Sequence, residues 1–529
     1  MVTTLIPLAI VCAAALSVVA ALTWSAWWWI LAVVLIVFGA LAVYDVVQRR
    51  HAILRNYPVV GHVRYLLEKV RPELQQYFIE RNYDGRPYDR DTRSVIYERA
   101  KGIHGEQAFG TEREVNDVGY EWLLHSSVPG DPGTQQPRVL VGGPDCTKPY
   151  HMALLNVSAM SFGALSANAL RALNAGAARG GFAHDTGEGG LTRYHLENGG
   201  DLIWELGSGY FGARTKDGDF DPERFREMAA HGQVKCVSLK LSQGAKPGIG
   251  GVLPAAKVTK EIAEARGVPQ GKKCVSPAAH RVFHTPRELV WFIARMRELA
   301  DGKPTGFKLC VGYRHELLAI CKAMVDERIT PDFIVVDGSE GGTGAAPLEY
   351  EDHVGTPLTD GLIMVHNALV GTGLRDRIKL GASGKVATGA DIVKRLVQGA
   401  DYTNAARAMM MAVGCIQAQK CHTNRCPVGV ATQDPRRARA LDVLDKTERV
   451  FRYQRATVAQ AQQMIASLGL TGPRELHPAM LMRRIDHVHT ANYAELYDWL
   501  APGELLAEPP QDWARDWAAA SPDTFTRVS

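Results

Sequence analysis

The 529-residue chain is 46% hydrophobic and 22% charged, a balance that excludes global disorder and leaves room for one barrel-sized domain with appendages, or for two or three ordinary domains. Its net charge of +4 is small for the length, and no Lys/Arg block or basic stripe interleaved with aromatics occurs, which sets nucleic-acid binding aside. The nine cysteines are odd in number and scattered except for three between 415 and 426, which argues against a secreted disulfide framework and for ligand use in a reducing compartment.

From Met1 to Tyr44 there is no Asp, Glu, Lys, Arg or His. A bilayer span needs only about 20 apolar residues at ~1.5 Å each, so residues 1–50 are expected to form a transmembrane hairpin with its turn at Thr23–Trp24–Ser25. The Trp27–Trp28–Trp29 run suits the water–lipid interface, and Arg49, Arg50, His51 and Arg55 follow the second apolar run. The positive-inside rule then predicts a cell-membrane protein whose catalytic domain faces the cytoplasm. A single tilted span gives the same placement, whereas a cleaved signal peptide would want a basic start and a shorter apolar core.

Residues 51–150, rich in Arg and Tyr and without a long periodic element, read as a lead-in segment packing on a later domain. Over 151–440 short apolar runs end in Gly, Ser or Asp and are each followed by a helical stretch, the alternation of parallel βα units. Eight such runs occur, at 154–163, 181–190, 202–209, 234–244, 306–312, 333–342, 378–385 and 401–408. Eight strands with polar and glycine residues at their carboxyl ends predict an α/β fold, a (β/α)8 TIM barrel with its site on that rim. The competing open doubly wound sheet lacks a G-x-G-x-x-G turn in the first unit. Residues 441–529 read as a helical C-terminal cap.

Three motif groups carry chemistry. In GCIQAQKCHTNRCPVGVATQD, C-x5-C-x4-C puts Cys415, Cys421 and Cys426 within twelve residues, and soft thiolates at that density select an iron-sulfur cluster or zinc. The zinc reading recruits His422 as fourth ligand, although structural zinc sites usually space their cysteines differently. Late in the barrel, DGSEGGTGAAP, GASGKVATG and NAARA form strand ends where small residues admit an anion to backbone N–H groups, so Gly384, Lys385, Ala406 and Arg407 are candidates for gripping a phosphate. On earlier strand ends, SAMSFG, DTGEGG and LSQGAKPGIGG bring Glu188, Gln243 and Lys246 to the rim, a set suited to a dicarboxylate. Their bland alternative is a solvated surface pair. His280 and His284, beside prolines, read as loop features without a role.

Together these motifs resemble the flavin domain of the large subunit of glutamate synthase. The resemblance runs from about Leu155 to Asp434 through MSFGALS, TGEGG, QGAKPGIGG, EGGTGAAPL, GLRDR at 373–377 and CPVGVATQD. It implies FMN on the rim, contacted by Ser158, Met160, Ser161, Lys240, Gly341, Gly342, Ser383, Gly384, Lys385, Ala406 and Arg407, and a [3Fe-4S] cluster on Cys415, Cys421 and Cys426. It further implies an oxidoreductase acting on CH-NH2 groups, in which 2-oxoglutarate, or the imine it forms with ammonia, is reduced to glutamate beside Glu188, Gln243 and Lys246.

The chain also departs from that family. Membrane spans stand where the large subunit has a cysteine-nucleophile glutaminase domain, no NAD(P)H fingerprint is found, and GASGKVATG resembles shorter single-chain relatives more than the Asp-Gly-Gly version. Electrons are therefore expected from a partner subunit, ferredoxin or a membrane carrier. Two further functions compete: oxidation of an amino acid or N-alkyl amino acid with electrons leaving toward the membrane, and an electron-transfer subunit without its own substrate, which would not need a dicarboxylate pocket.

Overall fold

Eight parallel strands close into a barrel, and each of the eight predicted runs coincides with one of them, the fifth strand beginning one residue ahead of its run. They are β1 Leu155–Val157, β2 His184–Asp185, β3 Leu202–Leu206, β4 Val234–Lys240, β5 Thr305–Leu309, β6 Phe333–Asp337, β7 Lys379–Ser383 and β8 Tyr402–Ala405. Neighbours pair in sequence order, and β8 returns to β1 with Ala405 opposite Val157. This computed structural model describes residues 2–103 and 105–528, so Met1 of the expected hairpin lies outside the described residues. The chain divides into two compact units, Met1–Asp91 and Thr92–Ser529.

Helices begin where local chemistry satisfies their first N–H groups. Thr285 and Glu288 form a capping box ahead of Pro286–Leu299, and Thr388 with Asp391 does the same for Gly389–Val397. The 25-residue helix Val443–Ser467 packs on Ala167–Gly180, where a Cβ at Gly176 would lie 2.6 Å from Val450 Cγ1, so glycine permits the close approach.

Alternation along the strands sorts the barrel interior into a floor and a rim. Ala183, Ile203, Cys236, Phe333, Val335 and Tyr402 form an apolar cluster with Val141 and Met152, which come from an antiparallel hairpin, Arg138–Val141 and Tyr150–Ala153. Two residues further along several strands the same inward positions are polar: Asp185, Glu205, Ser238, Asp337 and Asn404. Apolar burial therefore fixes one end of the barrel and leaves chemistry for the other.

Regions outside the barrel differ from expectation in detail. The stretch read as lacking a long periodic element contains helices Gly61–Leu74 and Arg90–Lys101. The C-terminal stretch is not purely helical, because Leu481–Arg484 pairs with Thr490–Asn492 and with Glu121–Leu123 in a three-stranded sheet. A strand of three residues carries too little alternation to be read from sequence.

In the first unit, α1 Val2–Thr23 and α2 Trp28–Val47 pack together around small residues, among them Ala14, Ala32 and Ala42, with Gly39 over Ile10 and Val11. Larger apolar side chains such as Leu16 and Val37 point outward, exposed at 71% and 61%. Leu5–Thr23 and Trp28–Val47 are long and apolar enough to cross a membrane.

Candidate functional site

The rim is organised by buried charges. Lys240, the last residue of β4, donates to Glu188 Oε1 at 2.8 Å and to Gln243 Oε1 at 2.6 Å, so two of the three predicted catalytic residues meet through a predicted cofactor contact. Ser276 Oγ donates to the second Glu188 oxygen at 3.4 Å, and Gly207 and Gly251 crowd the carboxylate so closely that a Cβ at either would collide with it. Burial alone would raise the Glu188 carboxyl, but Lys240, with Arg266 and Lys246, outweighs it and holds the group below its ordinary value.

Lys246 is 2% exposed and donates to the Ala345 carbonyl at 2.9 Å, linking the loop after β4 to the glycine-rich loop after β6. Burial, aided by neighbouring Lys240, lowers its pKa to about 8. A solvated surface pair is thereby ruled out for both Glu188 and Lys246.

Beneath them lies a charge layer that the motif reading did not select. Lys308 of β5 is ion-paired with Glu205 of β3. Burial works against the Lys308 charge, but Glu205, Asp185 and Asp337 overcome it and hold the ammonium above its ordinary range. Asp185 is pushed up to about 8 by burial and by Glu205. The available signal was a charged residue inside an apolar strand run, as in GFKLCVG and LIWELG. His280 is also more than a loop feature: it is 5% exposed, its Nε2 lies 2.9 Å from the Lys240 carbonyl and its Nδ1 3.2 Å from the Tyr210 hydroxyl. Burial takes its pKa down to about 4, which keeps it neutral.

The phosphate-type loops converge where β6, β7, β8 and β1 end. Ser158 and Ser383 hydroxyls are 3.3 Å apart, the Ser158 N–H donates to Ala405 O at 3.0 Å, and the Gly338 N–H donates to Ser383 O at 2.8 Å. Gly384 and Lys385 turn the chain at φ +145° and +49°. Arg407, following Ala406, donates to Glu340 O at 2.6 Å, and a Cβ at Gly342 would lie 2.8 Å from the Arg407 side chain. Gly341 donates to Gly338 O at 2.8 Å. Met160 is buried and Ser161 accepts from Arg266 at 3.2 Å. Gly187 lies against both at φ +62°, where a Cβ would be 2.6 Å from Ser161 N, so only glycine suits that turn. Asn404 Oδ1 and Ser238 Oγ are buried without a hydrogen-bond partner. Such orphaned polar atoms inside the barrel, with glycine loops at its carboxyl end, fit a planar polar ring bearing a phosphate, as FMN does.

The cysteine loop follows the helix after β8, with the Cys415 N–H donating to Met410 O at 2.9 Å. The three thiols are near enough to perturb one another. Burial raises Cys415 to about 12, with Cys421 and Cys426 adding, and burial followed by Cys426 raises Cys421. His422 is exposed, and among the described residues no group of three or more His, Cys, Asp and Glu is placed to hold a metal ion, which favours neither zinc nor a cluster on these cysteines. Lys257, unnoticed in the sequence, is buried beside the loop and donates to Ala164 O at 2.8 Å and Cys421 O at 3.4 Å.

A closed parallel barrel with ion pairs, orphaned polar groups and glycine loops concentrated on its carboxyl rim is the architecture of a barrel enzyme. A family model described as the conserved region in glutamate synthase matches residues 145–471. The chain is 36% identical over 485 residues to the glutamate synthase large subunit-like protein YerD of Bacillus subtilis, covering 84% of this chain and 92% of that one. It is 35% identical over 320 residues to the archaeal glutamate synthase [NADPH] of Archaeoglobus fulgidus, covering 60% of this chain and only 59% of the relative. Among solved structures it is similar to a flavocytochrome b2 mutant with pyruvate bound, at 12% identity and TM-score 0.41, covering 81% and 87% of the two chains. The chain belongs to the glutamate synthase family.

Proposed function

We propose that this chain is an FMN- and [3Fe-4S]-dependent oxidoreductase of glutamate synthase type that reduces 2-iminoglutarate, formed from 2-oxoglutarate and ammonia, to glutamate. The observation that carries the proposal is the part-buried Glu188–Lys240–Gln243 chain with buried Lys246 beside it, a concentration of charge and amide groups on the rim of a barrel whose family is that of glutamate synthase. FMN held on the rim would supply a hydride for the imine carbon, and a cluster held by Cys415, Cys421 and Cys426 would supply single electrons to the flavin.

The chain's own residues orient and neutralise. The Lys246 ammonium faces a substrate carboxylate, and its pKa near 8 also lets Nζ lend a proton to the nascent amine nitrogen near neutral pH. Glu188 and Gln243 hold Lys240 in one place, and neutral His280 fixes the backbone at its carbonyl. Ser158, Met160, Ser161, Gly341, Gly342, Ser383, Gly384, Lys385, Ala406 and Arg407 would hold the flavin and its phosphate. Pre-formed contacts of this kind remove the entropy cost of aligning the reactants.

The outward apolar faces of α1 and α2 support attachment to the cell membrane, with the second unit on the cytoplasmic side and electrons drawn from ferredoxin or a membrane carrier. The test is turnover by anaerobic, dithionite-reduced protein with 2-oxoglutarate and ammonia. Glutamate formation supports the proposal. Its absence, with oxidation of an amino acid or N-alkyl amino acid instead, would reverse the direction of flux.

A further inference from the structure

The segment after α2 carries an apolar stripe that no described residue of its own unit covers. In helix α3, Gly61–Leu74, Val63, Leu66, Leu67, Val70 and Leu74 recur three and four residues apart, which gathers them on one face, while Arg64, Glu68 and Arg71 fall outside it. All five apolar side chains are exposed, Leu66 at 59% and Leu67 at 57%, and Phe78 beyond the helix is 81% exposed. A soluble helix would bury such a face.

The start of α3 is tied to the end of α2. Buried Asp45 of α2 accepts from the Val59 N–H at 2.9 Å and pairs with the His62 ring at 2.9 Å. Gln48 Oε1 accepts from the Arg50 and His51 N–H groups, both at 2.8 Å, closing the turn that redirects the chain. The apolar stripe is therefore held beside the mouth of an apolar hairpin. From residue 49 to the helix end at Leu74 there are six Lys and Arg residues against two acidic residues, Glu68 and Glu73, a charge balance complementary to anionic phospholipid headgroups.

We infer that α3 is an interfacial helix, lying in the plane of the bilayer with the Val63–Leu74 stripe sunk into the leaflet at which α2 emerges. Its basic residues then meet the headgroups, and attachment gains a component sensitive to anionic lipid that two spans alone lack. The inference rests on the reading of α1 and α2 as membrane spans.

The test uses the full chain in vesicles of phosphatidylethanolamine and phosphatidylglycerol, with a photoreactive benzoylphenylalanine placed in turn at Leu67, at Glu68 and at Val37 of α2. Lipid adducts at Leu67 and Val37, lost at Glu68, are expected. Lipid adducts at Val37 with protein adducts or none at Leu67 would overturn the interfacial helix and leave the spans intact, showing that protein covers the stripe. No lipid adduct at any position would overturn the spanning reading and the inference with it.

Discussion

Lys240 Nζ lies 2.8 Å from the Glu188 carboxylate, so the last residue of β4 is charge-paired with the loop after β2 while the two side chains are only 10% and 13% exposed. In so dry a place each charge depends on the other, and the pair fixes both loops at the centre of the rim.

Glu188→Gln leaves the Lys240 ammonium buried without its counter-charge. Removing one partner of such a pair costs about 3–5 kcal/mol, and the residual exposure favours the lower end. Because the folded Glu188 pKa lies below the ordinary 4.5, its contribution is fully present above that value and disappears as pH falls through the folded pKa. Urea titrations of both proteins at neutral and acid pH are expected to give a gap that is constant near pH 7 and narrows below pH 4.5.

Lys246 loses its charge as pH rises through about 8. If its ammonium meets a substrate carboxylate, KM for 2-oxoglutarate increases across that range, while in Lys246→Gln it is already raised about tenfold, the cost of one charge-assisted hydrogen bond, and no longer varies there. Initial-rate profiles from pH 6.5 to 9.5 check both.

For Asp185, raised from 3.8 to about 8, the sign is opposite to that of Glu188. Between those values the folded state holds a proton that the unfolded state has lost, so this group makes stability fall as pH rises toward 8. Asp185→Asn is expected to flatten that decline, measured as Tm against pH, without loss of the fold. An unchanged decline would show that Asp185 is ionised in the folded protein across that range.

Cys421→Ser is expected to abolish iron and acid-labile sulfide while released flavin stays at the level of the unaltered protein, because the cysteine loop and the glycine loops are separate segments of the rim. Metal analysis and a flavin assay on the same sample decide it.

The barrel was legible because buried parallel strands are short apolar runs that stop at polar and glycine residues, a pattern repeated eight times. That Glu188, Gln243 and Lys246 come to the barrel rim was legible because glycine-rich loops expose the few side chains they keep. Lys308, Glu205 and Asp185 were passed over because one charge inside an apolar run says nothing of its partners, which lie on other strands. His280 and Lys257 acquire meaning only from contacts with Lys240 and Cys421, at separations of 40 and 164 residues. Helix α3 was missed because its apolar residues, spaced correctly, sit among arginines and an internal Pro72.

The most direct test is to purify the full chain anaerobically and quantify released flavin, iron, acid-labile sulfide and zinc alongside its absorption spectrum. FMN at one per chain, with iron and sulfide in the ratio of a [3Fe-4S] cluster, is the predicted result. Zinc in place of iron, or protein without flavin, would contradict the redox assignment while leaving the barrel and the family membership in place.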